Sequence, residues 1–594
     1  MRIALVLLGG LVASARPASA AEGAGTLAEP IVVDGFPWAH AADTTGRATE
    51  IDRYACASTL DEGGPEAIYR FSLPARGIVT AWVEGDVSGS VDIDVHLLAD
   101  DGVASGTADC VARGNRWAEA EFGAGDGWVA VDSYVSSGRP LPGPYVLRID
   151  VLPFDALRER VVARGVTWRA GRFSDLYGGT QTVNLLEVEL DAPGLRLVPA
   201  LGDGCTTIAA LGAGIGAVAG VNAGFFDGSC APVGLVRIDD RFLASNPSTR
   251  PPRSTLGIGD DGAHVERIAS GDGWPAVHQA LGGLPGLLRD GVADVLWAEE
   301  EAGESFATSR HPRTISCITT DGRVLFATFD GRTAAGLGVT LAQAADYLVG
   351  LGCDDGLNYD GGGSTTMWID GQAAGGVVNY PSDNGVADHL GERSVSNGWF
   401  VWAAPFDHPP RFTSTPPLTA VDGTPWSYDA DAVDIDVQPL TFSIGAGPSS
   451  IAVDGATGEA EWTPGVEDGG PQAVTIAVSD GTNRVEQSFI VTVIVRGADA
   501  DADADGGADA DGGGDGDGDG EDDGAGGDVV PRLDAGGDGS ADADADEGEG
   551  GGGCGCRVFR AIGGHELWWL ASVLAVRSLR SRRKKPPMNT DGHR

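Results

Sequence analysis

VLFATFDGRTAAGLGVTLAQAADYLVGLGCDDGLNYDGGGSTT, residues Val324 to Thr366, is the stretch that decides how the centre of this 594-residue chain folds. It opens on a β-favouring apolar run, Val324 to Phe329. From Thr340 to Leu351 the period changes: Leu341, Ala344, Ala345 and Leu348 recur at i, i+3, i+4 and i+7, which places them on one helix face. Thr340 is the expected N-cap and Gly352 the expected stop. Two further strand-like runs, Thr182 to Leu190 and Gly216 to Val221, surround the helix, so residues 160–405 read as an α+β domain. The stretch ends on Asn358-Tyr359-Asp360-Gly361-Gly362-Gly363-Ser364-Thr365-Thr366, a polar cluster expected at a strand end.

Three other polar clusters share that expected placement: Asn222-Ala223-Gly224-Phe225-Phe226-Asp227, Ser309-Arg310-His311-Pro312-Arg313-Thr314 and Glu392-Arg393-Ser394-Val395-Ser396-Asn397. Polar loops on a rigid scaffold are where sites are built. Glycine loses more entropy on folding than any other residue, so three in a row after a carboxylate need a reason. They allow close backbone approach and can aim several N–H groups at one phosphate or oxyanion. By itself the run also reads as a tight turn with an Asp cap. Arg313 argues against the plain turn, because a guanidinium fork matches phosphate bidentately, and His311 adds a titratable group. The clusters must converge for this to hold.

In order, N-A-G-F-F, H-P-R-T, D-G-R (both Asp321-Gly322-Arg323 and Asp330-Gly331-Arg332), N-x-D-G-G-G-S and E-R-x-V-S-N resemble the motifs of the phosphodiester glycosidase family, which includes N-acetylglucosamine-1-phosphodiester alpha-N-acetylglucosaminidases. The resemblance spans most of residues 165–402. It implies hydrolysis of the bond between an anomeric carbon and a phosphate, with a carbohydrate or sugar phosphate as substrate and no required cofactor. It makes Asn222, His311, Arg313, Asp360, Ser364, Thr365, Glu392 and Arg393 the pocket candidates, with Gly361, Gly362 and Gly363 lining the site. Hydrolysis at an anomeric carbon generally uses two carboxyl groups. Asp360 is the first choice, with Glu392 or Asp330 as its partner, and Arg313 is expected to hold the phosphate. One departure stands out: relatives usually carry Gly-Gly-Gly-Pro where this chain has Gly282-Gly283-Leu284-Pro285.

The flanks read differently. Residues 28–153 show period-two alternation between turn residues, as in Ala67 to Phe71, Ile78 to Val83, Val91 to Leu97 and Tyr145 to Ile149, which predicts a β-sandwich. It resembles the pre-peptidase C-terminal modules of secreted hydrolases. Asp92 and Asp94 are expected on a solvated strand face, with calcium as the alternative. Residues 409–496 read as a second sandwich, similar to bacterial Ig-like or cadherin-like modules, with Asp454 to Gly458 as a turn. Arg2, the apolar run Ala4 to Val12 and Ala18-Ser19-Ala20 form a signal-peptide pattern over residues 1–20. Export favours disulfides, and pairing by proximity gives Cys56–Cys110, Cys205–Cys230 and Cys317–Cys353, with connectivity left open by sequence alone.

The formal charge is −46, and much of it is local. Twenty acidic residues face Arg532 alone between Asp499 and Glu549, so 497–553 reads as a solvated spacer without a core of its own. An acidic surface excludes nucleic acid as a partner, since phosphate binding needs clustered Lys and Arg. Residues 554–594 hold Cys554 and Cys556, an apolar segment to Val576 and a basic end, resembling the C-terminal sorting signals of myxobacterial surface proteins. That layout predicts tethering to the cell envelope, with no obligate protein partner. None of the nine histidines forms an H-x-x-x-H pair, so a metallohydrolase is the poorer reading, and Asp residues leave room only for a divalent cation. Two functions remain: a surface glycosidase, or a non-catalytic glycan-binding adhesin. Binding alone would not require both H-P-R and D-G-G-G-S.

Overall fold

The computed structural model describes residues 23–51, 53–85, 90–99 and 109–496. The expected signal segment 1–20, the spacer 497–553 and the Cys motif, apolar segment and basic tail of 554–594 lie outside the described residues. The described residues belong to one compact unit.

The first part is a sandwich of two sheets. One orders Ile31–Val33, Glu66–Leu73, Gly125–Ser133, Ile93–Leu98 and Cys110–Gly114. The other orders Trp38–Asp43, Pro144–Pro153, Gly77–Glu84 and Trp117–Phe122. Ala67, Tyr69, Phe71 and Leu73 face the inner core beside Val79, Val129, Val131 and Leu147, as strand alternation requires. The last part pairs a four-stranded sheet, built on Gly470–Ser479 and Arg484–Ile494, with a three-stranded one around Trp426–Asp429 and Glu459–Trp462. Asp454 makes the expected turn: its carboxylate accepts from the N–H groups of Ala456 and Thr457 at 2.8 and 3.0 Å.

Between them lies a three-sheet body. Its eight-stranded sheet orders Arg158–Ala163, Val166–Phe173, Gln181–Val188, Val324–Phe329, Arg313–Thr319, Cys353–Asn358, Gly286–Arg289 and Val292–Ala293. A four-stranded sheet orders Arg196–Thr206, Val395–Trp402, Ala219–Asn222 and Met367–Ile369, and a five-stranded sheet runs from Arg241–Ala244 to Gly262–Ile268. Every residue of Val324–Phe329 is buried because both faces of its sheet are covered. Val324 and Phe326 pack with Leu186, Leu357 and Trp399, whereas Leu325, Ala327 and Phe329 meet the helix Leu341–Gly350. That helix buries Leu341, Ala344, Ala345 and Leu348, the face expected from their spacing. Thr340 caps it in a reciprocal capping box with Gln343, and Gly352 follows at φ +78°. Sheets otherwise dominate: the only other α-helices among the described residues are Ile208–Ile215 and Glu304–Thr308. The Gly216 to Val221 run splits accordingly, with Gly216 capping the first of these and the strand starting at Ala219.

Three disulfides join Cys56 to Cys110, Cys205 to Cys230 and Cys317 to Cys353, with Cα–Cα separations of 5.3, 5.3 and 5.9 Å. They fit an oxidising, extracytoplasmic compartment. Among the described residues no helix is long and apolar enough to cross a membrane. One expectation for the first sandwich fails. Asp94 is 1% exposed and ion-paired with Arg113 at 2.5 Å, so it does not lie on a solvated face.

Candidate active site

The four polar clusters meet at one end of the eight-stranded sheet. Arg313 pairs with Phe329 across one strand boundary, and Ile315 with Asn358 across the next, so strand ends 313, 329 and 358 lie side by side. Asn222 ends its own strand against them. It is 1% exposed and serves three loops at once. Its Nδ2 donates to the Asp360 carbonyl at 2.7 Å, while its Oδ1 accepts from Thr314 Oγ1 at 2.6 Å and from the Thr366 N–H at 3.0 Å. The Asp360 N–H donates to the Ala223 carbonyl at 2.9 Å, and the Gly224 N–H to Asn397 Oδ1 at 2.7 Å. The Gly282–Pro285 turn, where relatives carry a third glycine, is tied in by Asn358 Nδ2 donating to the Leu284 carbonyl at 2.8 Å.

Asp360 stands just beyond this knot. Burial pushes its carboxyl pKa up, while the Ser364 hydroxyl, the Arg393 charge and the Gly361 backbone pull it down, leaving a net rise. The glycines act mainly through close approach. The Gly362 N–H is taken by the Pro312 carbonyl at 2.9 Å, and the Ser364 N–H by the Gly361 carbonyl at 3.2 Å, so the run is not an open nest of free N–H groups. Gly362 sits at φ +64°, and a Cβ there would lie 2.8 Å from Arg332 Nη1. A Cβ on Gly363 would lie 2.5 Å from both Arg393 Nη2 and Asp383 Oδ1. The absent side chains thus let two guanidinium groups, Arg332 and Arg393, close on the loop from different residues. Arg393 is oriented by Asp383, its Nε donating to Oδ1 at 3.0 Å, and its Nη1 stands 3.5 Å from Ser364 Oγ. Arg332 is exposed and donates from Nη2 to His311 Nδ1 at 2.9 Å. Burial, with the charges of Arg313 and Arg332, lowers the His311 pKa, so its neutral ring accepts this hydrogen bond.

Three expected roles do not fit these positions. Arg313 is 0% exposed: its Nε donates to the Val339 carbonyl at 3.2 Å, and its Nη2 donates to those of Phe306 and Ser309 at 2.6 and 3.1 Å. Its guanidinium lies 4.6 Å over the Phe306 ring. It fastens loops together and presents no fork to a phosphate. Glu392 accepts from the Ala209 N–H at 3.0 Å and so satisfies the start of the helix Ile208–Ile215, which carries no acidic residue in its first turn. Asp330 is 1% exposed and its Oδ1 accepts from Asn379 Nδ2 and the Tyr380 N–H, both at 3.0 Å. Burial raises its pKa to about 6. It anchors Asn379 and Tyr380 at the start of the loop that leads to Asp383 and Arg393. Thr365 and Thr366 are wholly buried beside Ser364.

The residues missed by sequence reasoning are Arg332, Asp383 and a brace from the first sandwich. Arg332 was within reach, because it ends the second D-G-R motif. Glu119 was not: it is distant in sequence, yet it accepts from Tyr380 Oη at 2.6 Å and from Thr80 Oγ1 at 2.8 Å, and lies 3.1 Å from His389 Nε2.

Comparison with known proteins bears on the same segment. The phosphodiester glycosidase family matches residues 215–402, which include Asn222, Arg332, Asp360, Asp383 and Arg393. Solved structures similar to the chain include the catalytic domain of zebrafish N-acetylglucosamine-1-phosphodiester alpha-N-acetylglucosaminidase auto-inhibited by its pro-peptide. That match has 18% identity and a TM-score of 0.34, and covers 41% of this chain and 83% of that one. A Synechocystis protein is similar at 15% identity and a TM-score of 0.37, over 62% of this chain and 81% of its own. Comparison with curated proteins gives no match. In residues 215–402 the chain carries a domain of the phosphodiester glycosidase family.

Proposed function

We propose that the central domain hydrolyses sugar-1-phosphodiesters, or closely related α-glycosides, with Asp360 as the reacting carboxyl group. The observation that carries this reading is the arrangement of Arg332 and Arg393 around the glycine run next to Asp360. A phosphodiester brings one negative charge beside the anomeric carbon, and two guanidinium groups complement it. The base strength that burial gives Asp360 suits proton abstraction. In the step, water attacks the anomeric carbon and gives its proton to Asp360. The bond from that carbon to the bridging oxygen breaks, and the phosphate leaves with the electron pair. A phosphate leaving group needs little protonation, so this route does not depend on Glu392 or Asp330. Arg332 and Arg393 hold the phosphate, and Asp383 and His311 hold the two arginines.

The disulfides and the expected leader, spacer and C-terminal segment support an exported protein tethered to the envelope, acting on surface or environmental glycans. The test uses the whole chain on a panel of sugar-1-phosphodiesters and aryl α-glycosides, beside Asp360→Asn and Arg332→Ala. The parent should turn over. Asp360→Asn should lose about 10²–10⁴-fold, and Arg332→Ala should be weakened selectively on phosphodiesters. No turnover on any member of the panel, with glycan binding equal in all three proteins, would instead support the adhesin.

A further inference from the structure

The first sandwich buries a cluster of charged groups unrelated to the active site. Glu62, Asp94, His96 and Asp132 are each at most 1% exposed. One ligating atom each of Glu62, His96 and Asp132 lie within 4.8 Å of one another. Arg113 is the cation ion-paired to this cluster, with its Nη2 at 2.5 Å from Asp94 Oδ2 and 3.1 Å from Glu62 Oε1. Among the described residues, Glu62 and Asp94 thus share this one guanidinium, and Asp132 has no ion-pair partner. Among the described residues, both carboxylate oxygens of Asp132, Glu62 Oε2, Asp94 Oδ1 and His96 Nε2 have no hydrogen-bond partner. The neighbouring Glu66 shows how the fold satisfies a buried acid with its own donors: it accepts from the N–H groups of Glu50 and Ile51, both at 2.7 Å, and from Tyr54 Oη at 2.6 Å.

Unpaired buried charges are costly, and protein interiors resolve them by protonation, by pairing or by a metal ion that takes the proton's place. The imidazole is the telling member. Its Nδ1 side faces Cys110 Sγ at 4.0 Å, and Tyr54 stacks on its ring at 3.7 Å, which holds the plane in place while Nε2 stays free. Cys56 and Cys110 are closed in a disulfide and are not donors. The geometry points to a divalent transition-metal site formed by His96, Asp132 and Glu62, with Asp94 adjoining. Mixed imidazole and carboxylate donors suit zinc or manganese, whereas calcium prefers six to eight oxygens. Metal–ligand bonds of about 2.1 Å would draw the three side chains together by less than an ångström each. The ion would clasp three segments of the sandwich: the loop before Glu66–Leu73, and the strands Ile93–Leu98 and Gly125–Ser133.

The full chain, stripped with a chelator, would be dialysed against Zn²⁺, Mn²⁺ or Ca²⁺ and its metal content measured, beside Asp132→Asn and His96→Gln. The expected result is one equivalent of zinc or manganese that survives dialysis, with affinity at least about 10-fold weaker in each variant. Because either variant could misfold, Co²⁺ added to the stripped parent provides a second reading: a visible absorption band of a nitrogen- and oxygen-ligated ion is expected. Equal binding in all three proteins would place the metal elsewhere and overturn the assignment. So would absence of tight binding and of the cobalt band. Calcium-only binding that His96→Gln leaves intact would also overturn it.

Discussion

In the proposed reaction Asp360 and the arginines around it set the pH dependence of turnover. A carboxyl group that takes a proton from water must be ionised, so activity should rise with pH through its pKa. Burial raises that pKa, which puts the acid limb of kcat/KM above the ordinary carboxylate range. The Arg393 charge works against that rise, so Arg393→Met should move the limb to still higher pH; a limb that stays in place would remove Asp360 as the titrating group. Arg313 makes the opposite case. The Val339 carbonyl keeps the His311 N–H, but the half-buried Phe306 and Ser309 carbonyls depend on Arg313, so Arg313→Lys should lower Tm, a hydrogen bond from a charged donor being worth about 1.5–3 kcal/mol. The ratio of phosphodiester to aryl glycoside turnover should not change. An unchanged Tm with a selective loss on phosphodiesters would return Arg313 to the substrate. Sequence reasoning chose Arg313 over Arg332 because H-P-R places an arginine beside a histidine, and adjacency does not reveal which way a strand residue points. Asp360 was singled out by the ordered set of motifs, since a carboxylate before three glycines also reads by itself as a capped tight turn.

At the scale of elements, the helix Leu341–Gly350 and the Gly361–Gly363 run behave differently. The helix was legible to its cap, because one apolar face and a Thr-x-x-Gln box are local signals. Leu348 is fully buried on that face, and Leu348→Ala should cost about 2–5 kcal/mol, read as a lower midpoint in denaturant. The glycine run was legible as special but not in its role, since the contacts that require it come from Pro312, Arg332 and Arg393. Gly363→Ala should displace Arg393 and reduce phosphodiester turnover with little change in Tm, because the clash falls on the end of a partly exposed side chain. Wild-type turnover in that variant would show that close approach of Arg393 is not required. Glu392 misled for a related reason. Its neighbour Arg393 reaches the site, but the carboxylate turns to the start of Ile208–Ile215, and adjacent residues commonly serve different elements.

Across the whole molecule, the first sandwich braces the site loop through Glu119. Burial alone would lower the His389 pKa, but the Glu119 carboxylate and the Asn379 carbonyl hold it above the usual value. Burial alone would raise that of Glu119, and the His389 pair with the Tyr380 and Thr80 hydroxyls holds it at about 2. The raised histidine stabilises the fold below its unfolded pKa and loses that contribution as pH rises through the folded one. The depressed glutamate contributes above the ordinary glutamate pKa of 4.5 and loses that contribution as pH falls towards about 2. Tm should therefore fall on both sides of a plateau, and Glu119→Gln should flatten both flanks; identical profiles for the two proteins would separate the brace from stability. This contact joins residues some 270 positions apart, which is why a single sequence could suggest the modules but not how they meet. The central claim is that the bond broken is the one between the anomeric carbon and oxygen. Turnover of a sugar-1-phosphodiester in ¹⁸O-labelled water tests it most directly. The account predicts a phosphate product free of label; label in the phosphate would mean attack at phosphorus and would contradict it.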